Sequence, residues 1–159
     1  HIKALKYWRK HMENKIVRIT KLLLDFMFYT GFIVTAGVTF VIRVYGNYNQ
    51  YFKEYWISLS VIFVISGILA LLILSELRKV LKSVQEDDCF ITENVTSLSK
   101  MGNYSFLIVI VTSFRIVTYL TPAVLVIILT FLVAGLFSKV LSQVFAAAVT
   151  YKLENDLTI

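Results

Sequence analysis

Residues 56–77 read WISLSVIFVISGILALLILSEL, a run in which the first charged side chain is Glu76. An apolar run of about 20 residues is long enough to cross the ~30 Å hydrocarbon core of a membrane as a helix. Similar stretches occupy residues 22–42, 104–120 and 122–149. The sequence therefore predicts an all-α integral membrane protein, a four-helix bundle that crosses the bilayer four times.

The composition agrees with this class: 58% of the residues are hydrophobic and the mean hydropathy is +0.75. The net charge of +6 does not indicate direct binding of nucleic acid, because the basic residues cluster beside the predicted spans. Most lie before the first span, in the loop at 78–103 or in and after the fourth span, whereas the loop at 43–55 holds only Arg43 and Lys53. Cytoplasmic loops are enriched in such residues, so both termini are predicted to be cytoplasmic.

The amino end of the chain resembles translated leader sequence. Natural codons for residues 8–12 include a sequence like a ribosome-binding site just before a start codon at Met12. We expect residues 1–11 to be a non-native leader; a cloning scar ending in His11-Met12 is the alternative. Residues 12–159 then form a single transmembrane domain, because four spans leave too little chain for another.

The predicted domain lacks the residue types that common enzyme mechanisms need. The two histidines, His1 and His11, fall in the expected leader, and Cys89 is the only cysteine. Residues 12–159 therefore hold no Ser-His or Cys-His nucleophile pair and no histidine for a zinc site. They also hold no glycine-rich phosphate loop. We expect no enzyme activity, no catalytic residue, no cofactor and no bound metal.

Two charged residues, Asp25 and Arg115, lie in or near the predicted membrane region. Charges in such places mark either a function or a partner. Asp25 lies one turn from Lys21 near the cytoplasmic face, so we interpret it as a structural partner of Lys21 or of Lys139 in the fourth span. A proton or ion site is the alternative. Arg115 can extend its side chain to the outer interface, which indicates an anchor rather than a ligand site.

The fourth span carries small residues at four-residue steps, a pattern typical of helix packing: Ala134, Ser138, Ser142 and Ala146. Membrane helices associate through small residues because lipid supplies no hydrophobic drive between them. The pattern indicates packing within the bundle, and a homodimer surface is the alternative.

The inner loop at 78–103 keeps a helical spacing of apolar residues in two places. Its first part predicts that the second span continues into the cytoplasm as a helix. Residues 92–98 then predict a short separate helix, and Gly102 allows a bend before the third span. The fourth span also keeps a helical composition beyond the inner interface.

Part of this loop resembles a known family. Phe90-Ile91-Thr92-Glu93-Asn94-Val95, followed by Leu98 and Gly102, is similar to a motif of the small bacterial four-span membrane proteins grouped as domain of unknown function 2975. The tail at 153–159 also resembles the end of that family. The resemblance covers residues 12–159, although this chain lacks the proline often found before the phenylalanine.

The resemblance implies an uncharacterised integral protein of the bacterial plasma membrane, with no established biochemical activity. Genes of the family commonly neighbour a gene for a small helix-turn-helix regulator, which implies a regulatory partnership. We therefore predict a regulatory or interaction module that works with a cytoplasmic helix-turn-helix transcription regulator. A small transporter, a channel or a self-protection protein of the immunity type is the alternative.

The predicted partner-binding surface lies on the cytoplasmic side, in the inner loop and the tail. The loop carries more apolar residues than anchoring requires, and the tail ends on apolar side chains where polar ones are usual. The candidate contact residues are Phe90, Glu93, Asn94, Val95, Leu98, Leu157 and Ile159. A loop helix lying on the lipid surface beside a disordered tail is the alternative.

Overall fold

The chain folds into helices joined by short connections. A computed structural model describes residues 2–86, 88–118 and 120–157, with side chains from Lys15 onward except those of Thr118 and Asp156. The helices are α1 (Ile2–Tyr45), α2 (Gln50–Glu54), α3 (Trp56–Gln85), α4 (Thr92–Thr118) and α5 (Pro122–Asp156). The described residues contain no strand, and the all-α prediction is confirmed.

The boundaries of the long helices have local causes. Thr121 caps α5, because its hydroxyl accepts a hydrogen bond from the N–H of Val124 at 3.4 Å. Pro122 lies in the first turn of α5. N–H groups in the first turn have no partner within the helix, so the N–H that proline lacks removes no helical hydrogen bond. Helices α3 and α5 both continue past their apolar stretches, to Gln85 and Asp156, as the sequence predicts.

Helix α4 corrects the prediction for the inner loop. Residues 92–98 are not a separate helix, since α4 runs through Gly102 without a break. Gly102 is needed for a different reason: a Cβ there would lie 2.9 Å from Cγ of Lys139 and 3.1 Å from the carbonyl oxygen of Gly135. A Cβ on Gly135 would lie 2.8 Å from the ring of Phe106. Two glycines therefore permit the close crossing of α4 and α5.

The four long helices pack in the order in which they occur along the chain. Helix α1 contacts α3, α3 contacts α4, and α4 contacts α5. Among the described residues no contact joins α1 to α4 or α5, or α3 to α5. The helices thus form a row in which α4 lies between α3 and α5, and a closed four-helix bundle is not confirmed.

Three of the helices carry the apolar surface of a membrane protein. Lys15–Tyr45, Trp56–Gln85 and Pro122–Asn155 are long and apolar enough to cross a membrane. Large apolar side chains are exposed on all three, among them Phe32, Ile57 and Phe137. Water would be an unfavourable solvent for so much apolar surface, so the chain is a membrane protein. The stretch predicted as the third span, within α4, is not one of these three, and the four-span count stays a prediction.

The small residues of α5 face α4 only in part. Ser142 is buried, Ser138 and Ala146 are half-buried, and Ala134 is exposed. Because a helix turns every 3.6 residues, strict four-residue steps drift around its surface. Gly135, one position away from Ala134, lies so close to α4 that a Cβ there would be 2.8 Å from the ring of Phe106.

Candidate functional site

A single buried amide closes the connection between α3 and α4. Asn94, in the first turn of α4, is only 2% exposed. Its Nδ2 donates hydrogen bonds to the hydroxyl of Ser83 on α3 and to the carbonyl oxygen of Cys89, the latter at 2.7 Å. The Ser83 hydroxyl donates in turn to the carbonyl oxygen of Val80 at 2.7 Å. Asn94 therefore holds the end of α3, the connecting loop and the start of α4 together.

A second polar link joins the same two helices at Glu76. This residue is buried, and its carboxylate accepts hydrogen bonds from the Ser97 hydroxyl at 2.7 Å and from the Lys79 ammonium at 2.8 Å. Ser97 lies three residues after Asn94, so both project from the same face of α4. A buried carboxylate is costly unless donors surround it. The two donors here account for its place between apolar helices.

Two side chains of α5 complete the polar network on the other side of α4. The Ser142 hydroxyl donates to the carbonyl oxygen of Val95 at 2.9 Å. The Lys139 ammonium donates to the Ser99 hydroxyl, also at 2.9 Å. The first turns of α4 are thus tied to α3 and to α5 within a few residues. Side-chain hydrogen bonds thus join all three helices at this level of the molecule.

The loop between α3 and α4 also touches the end of α5 directly. Lys152 Nζ lies 2.9 Å from Asp88 Oδ1, and both side chains are about half exposed. The rings of Phe90 and Phe145 are 5.3 Å apart between centroids. These four residues form what we call the loop–tail surface. It joins two segments that are about 60 residues apart in the chain.

This geometry can be compared with known proteins. A family model described as protein of unknown function (DUF2975) matches residues 42–159. The chain belongs to this family. No curated protein and no solved structure matches the chain. The matched region of the DUF2975 chain contains α2 to α5, and with them the polar network and the loop–tail surface.

The DUF2975 motif residues divide into buried and exposed groups. Asn94 and Leu98 are buried within the fold, so in this conformation little of either side chain is open to a partner, and their role in partner binding stays a prediction. Val95 is half-buried, whereas Phe90 (43% exposed) and Glu93 are exposed. In the tail, Leu157 is 86% exposed. Ile159, also predicted to bind, lies outside the described residues.

The membrane-level carboxylate of the DUF2975 chain has a partner that the sequence did not reveal. Asp25 Oδ1 lies 2.7 Å from a guanidinium nitrogen of Arg78 on α3. Neither Lys21 nor Lys139 forms an ion pair with it, and the Lys139 ammonium donates to the Ser99 hydroxyl instead. The Arg78 guanidinium also lies 4.8 Å from the ring centroid of Phe28. Asp25 therefore pairs with a cation other than the two that the sequence indicated, and the structural role of this residue stays a prediction.

Arg115 approaches an aromatic ring at the opposite end of the molecule. Its guanidinium carbon lies 5.4 Å from the ring centroid of Phe63 on α3, a distance suited to a cation–π contact. The outward extension toward the interface stays a prediction. The described residues contain no group of three or more His, Cys, Asp or Glu side chains that could hold a metal ion.

A double-mutant cycle on Asp25 and Arg78 in the DUF2975 chain should give a coupling energy of about 1 kcal/mol, because an ion pair whose side chains are about one-third exposed contributes up to about that much. The measurement is the thermal unfolding of the four proteins of the cycle in detergent. The matched control is the same cycle with Lys139 in place of Arg78, which should give almost no coupling. Equal coupling in the two cycles would contradict the assignment of the partner.

Proposed function

We propose that this protein is a multi-span protein of the bacterial plasma membrane and that it works as a regulatory module with a small cytoplasmic helix-turn-helix protein. The observation that carries the proposal is the loop–tail surface. The loop that carries the sequence motif and the part of α5 that leads into the tail are far apart in the chain, yet the Lys152–Asp88 ion pair and the Phe90–Phe145 contact bring them together. One partner can therefore contact both segments at once.

The chemistry around this surface suits a protein partner. Tyr151, Leu153 and Leu157 are exposed on the last turns of α5 and just beyond it. These positions follow the apolar stretch, next to the charged residues Lys152 and Glu154. Aromatic and aliphatic side chains bordered by charges are typical of protein interfaces.

The proposed topology places four spans in the bilayer with both termini in the cytoplasm. If α3 and α5 both cross the membrane, α4 crosses with them, because it packs against both. The polar hydroxyls that lower the hydropathy of α4 include Ser105 and Thr112, which are buried. They face the protein rather than lipid, so they do not oppose insertion.

The experiment that tests the function is a pull-down of the full-length protein from its native membrane. We expect Leu157→Glu to reduce recovery of a helix-turn-helix regulator at least severalfold, because it places a charge in the proposed interface. The matched control is Tyr48→Glu, since Tyr48 is also 86% exposed but lies in the connection before α2. Equal recovery with both variants, or no regulator with the intact protein, would contradict the proposal.

A further inference from the structure

A cleft of about 460 Å³ lies between α1 and α3 at the end of the molecule that carries the polar network. Its walls are predominantly charged side chains from both helices. From α1 they are Lys21 and Asp25, and from α3 they include Ser75, Arg78, Lys79 and Lys82. Leu81 and Gln85 of α3, and Glu86 just after it, complete the lining. The cleft is distinct from the loop–tail surface, which belongs to α5 and the loop before α4.

The cleft has an excess of positive charge. Four cations line it against the carboxylates of Asp25 and Glu86. Asp25 is paired with Arg78 at 2.7 Å, and Lys79 is paired with the buried Glu76 at 2.8 Å. Glu86 lies 3.9 Å from Lys82 in an exposed and therefore weak pair. Among the described residues Lys21 takes part in no ion pair. An anion that enters the cleft would therefore meet ammonium groups that the protein does not fully neutralise.

The position of the cleft along the helices fits a membrane surface. Lys21 directly precedes the apolar stretch of α1, and Arg78 directly follows that of α3. Both cations thus stand where apolar helix surface gives way to charged surface, the level at which lipid headgroups lie. Towards the apolar side, the guanidinium of Arg78 is 4.8 Å from the ring centroid of Phe28 and 6.0 Å from that of Tyr29.

The aromatic contacts hold the guanidinium in place beside exposed apolar surface. Leu22 and Phe26, on α1 near the cleft residues, are both exposed. A molecule with an anionic head and an apolar tail can place its head among the cations and its tail along α1. A free anion would contact only the cations and not the apolar surface of α1.

We propose that this cleft binds the phosphate headgroup of an anionic phospholipid. Arg78 and Lys21 donate hydrogen bonds to the phosphate oxygens, and the acyl chains lie along the exposed apolar face of α1. Basic pockets between membrane helices recognise such headgroups through the same combination of charge and location. The site ties α1 to α3 from the lipid side and is independent of any regulator bound at the loop–tail surface.

Native mass spectrometry of the full-length protein in detergent tests the site directly. The probes are phosphatidylglycerol, phosphatidylcholine and inorganic phosphate, each titrated separately. We expect phosphatidylglycerol to be retained in preference to phosphatidylcholine, and inorganic phosphate to compete only weakly. Equal retention of the two lipids would overturn the proposal, and displacement by equimolar inorganic phosphate would show a free-anion site instead.

Substitutions locate the bound lipid. Lys21→Ala should weaken retention of phosphatidylglycerol about fivefold, the effect of one basic side chain near an anionic lipid. Lys100→Ala is the matched control, because Lys100 is an exposed lysine on α4 outside the cleft, and it should leave retention unchanged. Since Lys21 has no ion pair within the described chain, its loss is not expected to impair folding. An equal loss of lipid in both variants would overturn the assignment to the cleft.

Discussion

Replacing Asn94 by alanine is expected to lower the free energy of unfolding by about 1–3 kcal/mol, the cost of leaving buried hydrogen-bonding groups without partners. The substitution removes the donor to the Ser83 hydroxyl and to the carbonyl oxygen of Cys89. Ser83 keeps its bond to Val80, but the loop carbonyl loses the amide that holds it. Thermal unfolding of the purified protein in detergent measures the effect.

The control for this prediction is the neighbouring residue. Glu93→Ala changes an exposed side chain in the same turn of α4 and should shift stability by no more than about 0.5 kcal/mol. The pair also separates structure from partner binding, because Asn94→Ala should loosen the loop whether or not a regulator is present. If the two variants unfold at the same temperature, the buried amide does not hold the loop.

Replacing Gly102 by leucine is expected to destabilise the protein by about 1–3 kcal/mol, the usual cost of overpacking a tight interface. The Cβ atom of the new side chain alone would lie 3.1 Å from the backbone oxygen of Gly135 and 2.9 Å from Lys139 Cγ. Helices α4 and α5 would have to move apart, and the bond from Lys139 to Ser99 would be strained. Unfolding in detergent and the yield of monodisperse protein both report the change.

Helix α1 provides the matched control. A Cβ on Gly37 would meet nothing within 4 Å, so Gly37→Leu should leave stability unchanged or raise it by about 0.5–1 kcal/mol, since glycine is a poor helix former. Both substitutions place the same side chain in the interior of a long helix. A loss at Gly37 as large as that at Gly102 would show that adding a large side chain to any long helix, rather than the α4–α5 crossing, determines the result.

The elements of this fold were largely predictable because their signals are local. Apolar length, the Thr121-Pro122 start and the continuation of the helices past the apolar stretches can all be read within a few residues. The pairing of helices is not a local property. Asp25 and Arg78 are more than 50 positions apart, and nothing near either residue indicates that α1 packs on α3 alone. The choice of Lys139 as a partner assumed a closed bundle.

The inner loop was harder to interpret because burial there depends on how the loop closes. Asn94 is a polar residue in a polar segment, a context that indicates an exposed side chain. The structure instead buries it against Ser83, and it buries Glu76 against Ser97. Each pair joins a polar residue near the end of α3 to one at the start of α4. Polar residues on both sides of the loop can be read in the sequence, and this pattern indicates a hydrogen-bonded junction between α3 and α4.

The ordered row of helices has a consequence for biogenesis. Each long helix finds its packing partner in the long helix that precedes it along the chain. During synthesis, α3 can dock on α1, α4 on α3 and α5 on α4 as each leaves the ribosome, without displacing an earlier contact. Contacts between neighbours in sequence are the kind that form fastest. The last of these helices to arrive is the one that completes the loop–tail surface, so the chain can present this surface only after α5 has been synthesised.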